Sequence, residues 1–66
     1  MRLHEPYTDL KLALAGKGKT YKDVSEVIGV NVGTVSQKIN GFSDFTISEF
    51  QAMAKAFDLS LDIFLP

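Results

Sequence analysis

Sixty-six residues allow one domain, 1–66, and a chain this short buries only about 60% of its unfolded surface, so its core must be compact. A hydrophobic content of 45%, with five Phe and two Tyr, suits a small globule rather than a disordered tail, and the absence of Cys excludes disulfides, thiolate nucleophiles and cysteine metal sites. The net charge of −1 argues against nucleic acid, but residues 1–41 carry six basic side chains against four acidic ones and residues 42–66 carry one against four, so the chain is polarised.

No apolar run nears the roughly 20 residues of a membrane span, and no signal-peptide pattern opens the chain. The single histidine, His4, is expected to be solvated near the N-terminus. The expectation is an intracellular domain away from any membrane.

No stretch alternates apolar and polar residues long enough for a strand; helical signals recur instead. "EPYTDLKLALAG" places Pro6 in a first helical turn and brings Leu10, Ala13 and Leu14 round at helical spacing, until Gly16 and Gly18 stop the helix. In "TYKDVSEVIG", Thr20 is the N-cap and Asp23 completes a capping-box-like pair. Val24, Val27 and Ile28 form the buried face, and Gly29 ends the helix. "NVGTVSQKING" starts at Asn31, buries Val35 and Ile39, and ends at Asn40-Gly41. "FTISEFQAMAKAF" pairs Thr46 with Glu49 as a capping box and Phe45 with Phe50 as a hydrophobic staple. Phe50, Met53, Ala54 and Phe57 follow one face of that helix, and Ser60 caps a short fifth helix, "LDIFL". The fold expected is all-α and compact, with five helices.

"AGKGKT" looks like the end of a nucleotide-binding loop, but such a loop needs a glycine at position 13 and a buried strand before it. Position 13 is Ala13, and the preceding residues are helical. Phosphate remains plausible for another reason, since Thr20 opens a helix whose first turn presents N–H groups and a positive dipole end, with Lys17, Lys19 and Lys22 beside it. The alternative is a plain capped helix with solvated lysines.

"TYKDVSEVIGVNVGTVSQKING" has the plan of a helix-turn-helix over about residues 20–40. A glycine marks the turn, and Ser25 is a small residue where the second helix crosses the first. From about Leu10 to Leu65 the chain resembles the phage repressor and Cro-like helix-turn-helix domains, the lambda-repressor-like or XRE class. The pieces that carry this are "TYKDVSEVIGV", "TVSQKING", "SDFTISEF" and "LSLDIFL", and together they resemble repressors of Gram-positive phages and prophages. Three positions depart from the family pattern. Tyr21 replaces a glutamine that touches phosphate, Lys19 replaces an apolar residue, and Lys38-Ile39 replaces the commoner apolar-then-acidic order before Asn40-Gly41.

The resemblance implies base readout by Val32, Gly33, Ser36 and Gln37 on the helix that enters the major groove. The Gln37 amide is suited to adenine N6 and N7. Val32 is placed either against a thymine methyl or in the corner between the two helices. Gly33 costs about 1 kcal/mol against Ala and either admits DNA closely or is merely tolerated. Phosphate contacts are expected from Thr20, Tyr21 and Lys22, from Asn31 and Thr34, and from Lys38, Asn40, Gly41 and the backbone at Phe42 and the two residues after it. Leu61, Ile63, Phe64 and Leu65 are too many apolar residues for so small a core; some are expected to pack back on it and some to form an exposed apolar patch suited to a dimer contact.

The function expected is sequence-specific binding of double-stranded operator DNA by a homodimeric transcriptional regulator in the cytoplasm of a bacterial host cell. No enzyme activity, metal, cofactor or small-molecule substrate is expected. One alternative is the DNA-binding portion of a longer repressor. The other is a protein-binding module, antitoxin-like or anti-repressor-like, on the same helical fold.

Overall fold

The computed structural model describes residues 2–64, the side chains of Leu61 and Phe64 excepted. Four α-helices follow in order, α1 (Thr8–Gly16), α2 (Tyr21–Ile28), α3 (Val32–Asn40) and α4 (Ile47–Phe57), before a 3-10 turn at Leu61–Phe64. The all-α class holds, with four α-helices where five were expected. The segment after Ser60 closes an i→i+3 bond, from the Ile63 N–H to the Ser60 carbonyl at 3.1 Å, and its four residues complete only a 3-10 turn. Ser60 caps that turn as expected, its hydroxyl accepting from the Asp62 N–H.

The helix starts follow from local chemistry, with one exception. Thr20 and Asp23, and again Thr46 and Glu49, form reciprocal capping boxes, and the Asn31 side chain accepts from the Thr34 N–H at 2.7 Å. The exception is α1, which begins at Thr8 with no side-chain cap and leaves Pro6 outside the helix. Tertiary bonds account for this. The Tyr7 N–H donates to the Ile39 carbonyl at 3.0 Å, and the Tyr7 hydroxyl donates to Asp44 Oδ1 at 2.7 Å. Helix α1 then runs through Gly16 and closes at Gly18, in the left-handed region, where the Lys19 N–H reaches back to the Leu14 carbonyl.

The core collects the faces that helical spacing marked. Leu10, Val24, Val35, Ile39 and Met53 are fully buried; Tyr7, Leu14, Phe45 and Phe57 complete the cluster. Burying each aliphatic side chain of this kind contributes about 1.5–3 kcal/mol. The staple pair Phe45 and Phe50 meets with ring centroids 5.5 Å apart, and the Tyr7 ring lies within 6.0 Å of both. Helix α2 packs against α3 and α4, while the 3-10 turn packs against α1 and α4.

Candidate nucleic-acid interface

The turn between α2 and α3 is built on Gly29, which takes the left-handed backbone at φ +75°. The Gly29 and Val30 N–H groups both donate to the Ser25 carbonyl, and Val30 packs on the core. Val35 and Ile39 point inward from α3 and set its roll. Despite the departure at Lys38-Ile39, Ile39 takes the core position.

The opposite face of α3 is open. Val32 is 44% exposed, so it does not lie buried in the corner between the helices. Gly33 and Gln37 are exposed beside it, and the Gln37 carboxamide has no hydrogen-bond partner among the described residues. A Cβ at Gly33 would meet only Asn31 Oδ1, at 3.4 Å, so nothing within the fold demands glycine there. Ser36 is half-buried, and its hydroxyl accepts from Asn40 Nδ2 at 3.3 Å.

At the start of α2, the polar groups of Thr20 are committed to its own cap. Its N–H donates to Asp23 Oδ2 at 2.8 Å, and its hydroxyl pairs with the same carboxylate. The Thr20 N–H first, then its hydroxyl and the nearby Lys19 and Lys22, hold the Asp23 carboxyl below its ordinary range. This helix end thus carries an anion of its own, the Asp23 carboxylate of the capping box read from the sequence. Tyr21 is half-buried against the core, whereas Lys17, Lys19 and Lys22 are exposed. At the start of α3, the Asn31 side chain is taken up by capping and Thr34 is half-buried.

The end of α3 is organised otherwise than expected. The Lys38 side chain is 13% exposed, and its ammonium donates to the Asp44 carbonyl at 2.9 Å and to Glu49 Oε1 at 3.1 Å. Asn40 accepts from Lys11 Nζ at 2.6 Å and donates to the Ser36 carbonyl at 2.9 Å. Gly41 is buried at φ +99°, where a Cβ would collide with the His4 carbonyl. The Phe42 and Ser43 N–H groups both turn back to the Gln37 carbonyl, so they close the helix rather than face a phosphate. Residues 38 and 40–43 are therefore structural first.

What covers this end is the N-terminal arm, residues 2–6. The Leu3 N–H donates to the Gly41 carbonyl, and the Arg2 guanidinium carbon lies 5.8 Å from the centre of the Phe42 ring. His4 is not solvated as expected. Its ring stacks on Tyr7 at 4.4 Å, Nδ1–H donates to the Glu5 carbonyl at 2.6 Å, and Nε2–H donates to the Ser43 carbonyl at 2.9 Å. Asp44 Oδ1 lies 3.5 Å from Nε2. Carbonyl oxygens only accept, so both ring nitrogens must carry protons to make both bonds. Burial alone lowers the His4 pKa; the carbonyls of Glu5 and Ser43, the Asp44 carboxylate and the Lys38 backbone together outweigh it and raise the pKa above 6.5. Burial, then the bond to Asp44, pushes the Tyr7 hydroxyl far up.

Of the residues expected at a dimer contact, Ile63 is half-buried against the core. Leu65 and the side chains of Leu61 and Phe64 lie outside the described residues. Among the described residues, no helix is long and apolar enough to cross a membrane, and no cluster of His, Asp and Glu could hold a metal ion.

A family model described as helix-turn-helix matches residues 10–64, from the first buried leucine of α1 to the closing 3-10 turn. No curated protein and no solved structure matches the chain.

Proposed function

The chain belongs to the helix-turn-helix family, of the Cro/C1 type, and from that premise we propose that it is a sequence-specific transcriptional regulator that inserts α3 into the major groove of operator DNA. The observation that carries this reading is the outer face of α3, where Gln37 holds a free carboxamide beside exposed Val32 and Gly33. Gln37 reads an adenine, and Val32 packs on a thymine methyl next to it. Gly33 keeps the helix close to the base edges, and Ser36 adds a hydroxyl whose orientation Asn40 sets. Lys17, Lys19 and Lys22, with the first-turn amides of α2 and α3, meet phosphates and fix the register. The protein acts as a phage- or prophage-type repressor in a bacterial host cell. It binds as a homodimer on DNA, with half-sites about one helical turn apart.

The test begins with a duplex selected from a random pool by the wild-type protein. Gln37→Ala should lose discrimination at one base pair by about 1–3 kcal/mol and leave the others intact. Unchanged preference would sink the assignment of α3 as the reading helix. An amide-shift titration with duplex DNA separates the rival. Shifts on residues 21–22 and 31–37 that fade with salt support DNA, whereas a response confined to residues 59–64 supports a protein partner.

A further inference from the structure

We propose that Arg2 is the DNA-phosphate contact at the C-terminal end of α3, delivered there by the N-terminal arm; this rests on the DNA reading of α3. The two ends of a helix treat phosphate differently. The positive dipole end at the starts of α2 and α3 favours an anion, but the end of α3 carries roughly half a negative charge. A phosphate approaching that end needs a side-chain cation.

Lys38 is the basic residue of the last turn, yet Glu49 and the Asp44 carbonyl already hold its ammonium in a partly buried bridge. Drawing it out would leave the largely buried Glu49 carboxylate without its cation. Arg2, by contrast, is exposed, and no ion pair engages it among the described residues. Its guanidinium lies over Phe42, which is 54% exposed and follows α3 directly after Gly41.

The arm that carries Arg2 is held in place. The Leu3 N–H donates to the Gly41 carbonyl, the Tyr7 N–H to the Ile39 carbonyl, and the His4 ring to the Ser43 carbonyl. Gly41 has no side chain, so the His4 carbonyl can occupy the space a Cβ would need, and the Arg2 stem passes beside it, its Cγ 3.4 Å from that position. The cation–π contact with Phe42 narrows the freedom of the guanidinium while leaving its N–H fork open to a bidentate phosphate contact.

The experiment measures affinity for a random-sequence duplex across a salt series, for the wild type, Arg2→Ala and Lys38→Met, with a thermal melt of each. Arg2→Ala should melt with the wild type, weaken all duplexes about equally, and reduce the magnitude of the log K against log salt slope by about 0.9, one phosphate's worth. Lys38→Met should lower the melting temperature and keep the wild-type slope. An unchanged slope for Arg2→Ala, or the loss of one phosphate's worth with Lys38→Met instead, overturns the assignment of Arg2. A wild type that binds no duplex at low salt overturns the DNA reading itself, a result distinct from either.

Discussion

Gly29 and Gly41 both take the left-handed backbone at a helix end, yet only Gly41 has another segment lying against it. At Gly29 the space a Cβ would fill is open, so Gly29→Ala carries only the backbone strain of a left-handed residue, about 1 kcal/mol. At Gly41 the same strain is joined by a collision with the His4 carbonyl, and the arm must move off α3 to relieve it. Chemical denaturation should give Gly41→Ala at least about twice the loss of Gly29→Ala. Amide shifts of residues 2–5 should move in the first variant and stay put in the second. Equal losses would mean that the arm does not lie against Gly41. Gly33 is the contrasting case, since its backbone is ordinary helix and its surroundings are nearly empty. Nothing within the described fold therefore accounts for its cost of about 1 kcal/mol against Ala.

Among the elements, the N-terminal arm is held by backbone bonds and, in part, by one titrating proton on His4. The groups facing His4 are the carbonyls of Glu5 and Ser43, the Lys38 backbone, the Asp44 carboxylate and the Tyr7 ring; the Lys38 side chain, bridged to Glu49, holds the same loop from the other side. Since the folded pKa lies above 6.5, the stabilisation is complete below pH 6.5 and disappears as pH rises through the folded value. Unfolding free energy should thus step down on the alkaline side of 6.5, and His4→Gln should remove the step. Imidazole shifts followed by NMR check it directly, and a folded titration at or below 6.5 would refute it. This clamp was not legible in the sequence, and the reason is separation along the chain. The caps are read easily because Thr20 and Asp23, Asn31 and Thr34, or Thr46 and Glu49 are three residues apart. His4 and Ser43 are 39 apart, Tyr7 and Asp44 37, Lys11 and Asn40 29, and Lys38 and Glu49 11. Helical spacing predicts which face of α3 is open, and so finds Gln37 and Val32. It cannot show that partners from α1, α4 and the arm occupy the side chains at the far end of the helix.

For the whole molecule, size and charge decide how DNA is approached. The protein measures 30 × 23 × 21 Å, and the nine residues of α3 span roughly 13 Å, comparable with the approximately 12 Å width of the major groove. A net charge of −1 supplies no general attraction to a polyanion, so binding has to come from one face. With Lys38 internally paired, the exposed cations flanking the helix-turn-helix are Lys17, Lys19 and Lys22, before and within α2, and Arg2, beside Phe42 after the end of α3. Lys22 separates this account from simple sequence readout. Lys22→Gln should lower affinity for every duplex by a similar factor and reduce the salt slope by about 0.9. The order of preferred sequences and the melting temperature should not change, because Lys22 lies on the outer face of α2 with no side-chain partner among the described residues. If Lys22→Gln instead changed which sequences bind best, α2 would lie nearer the bases than α3, and the orientation argued here would be reversed.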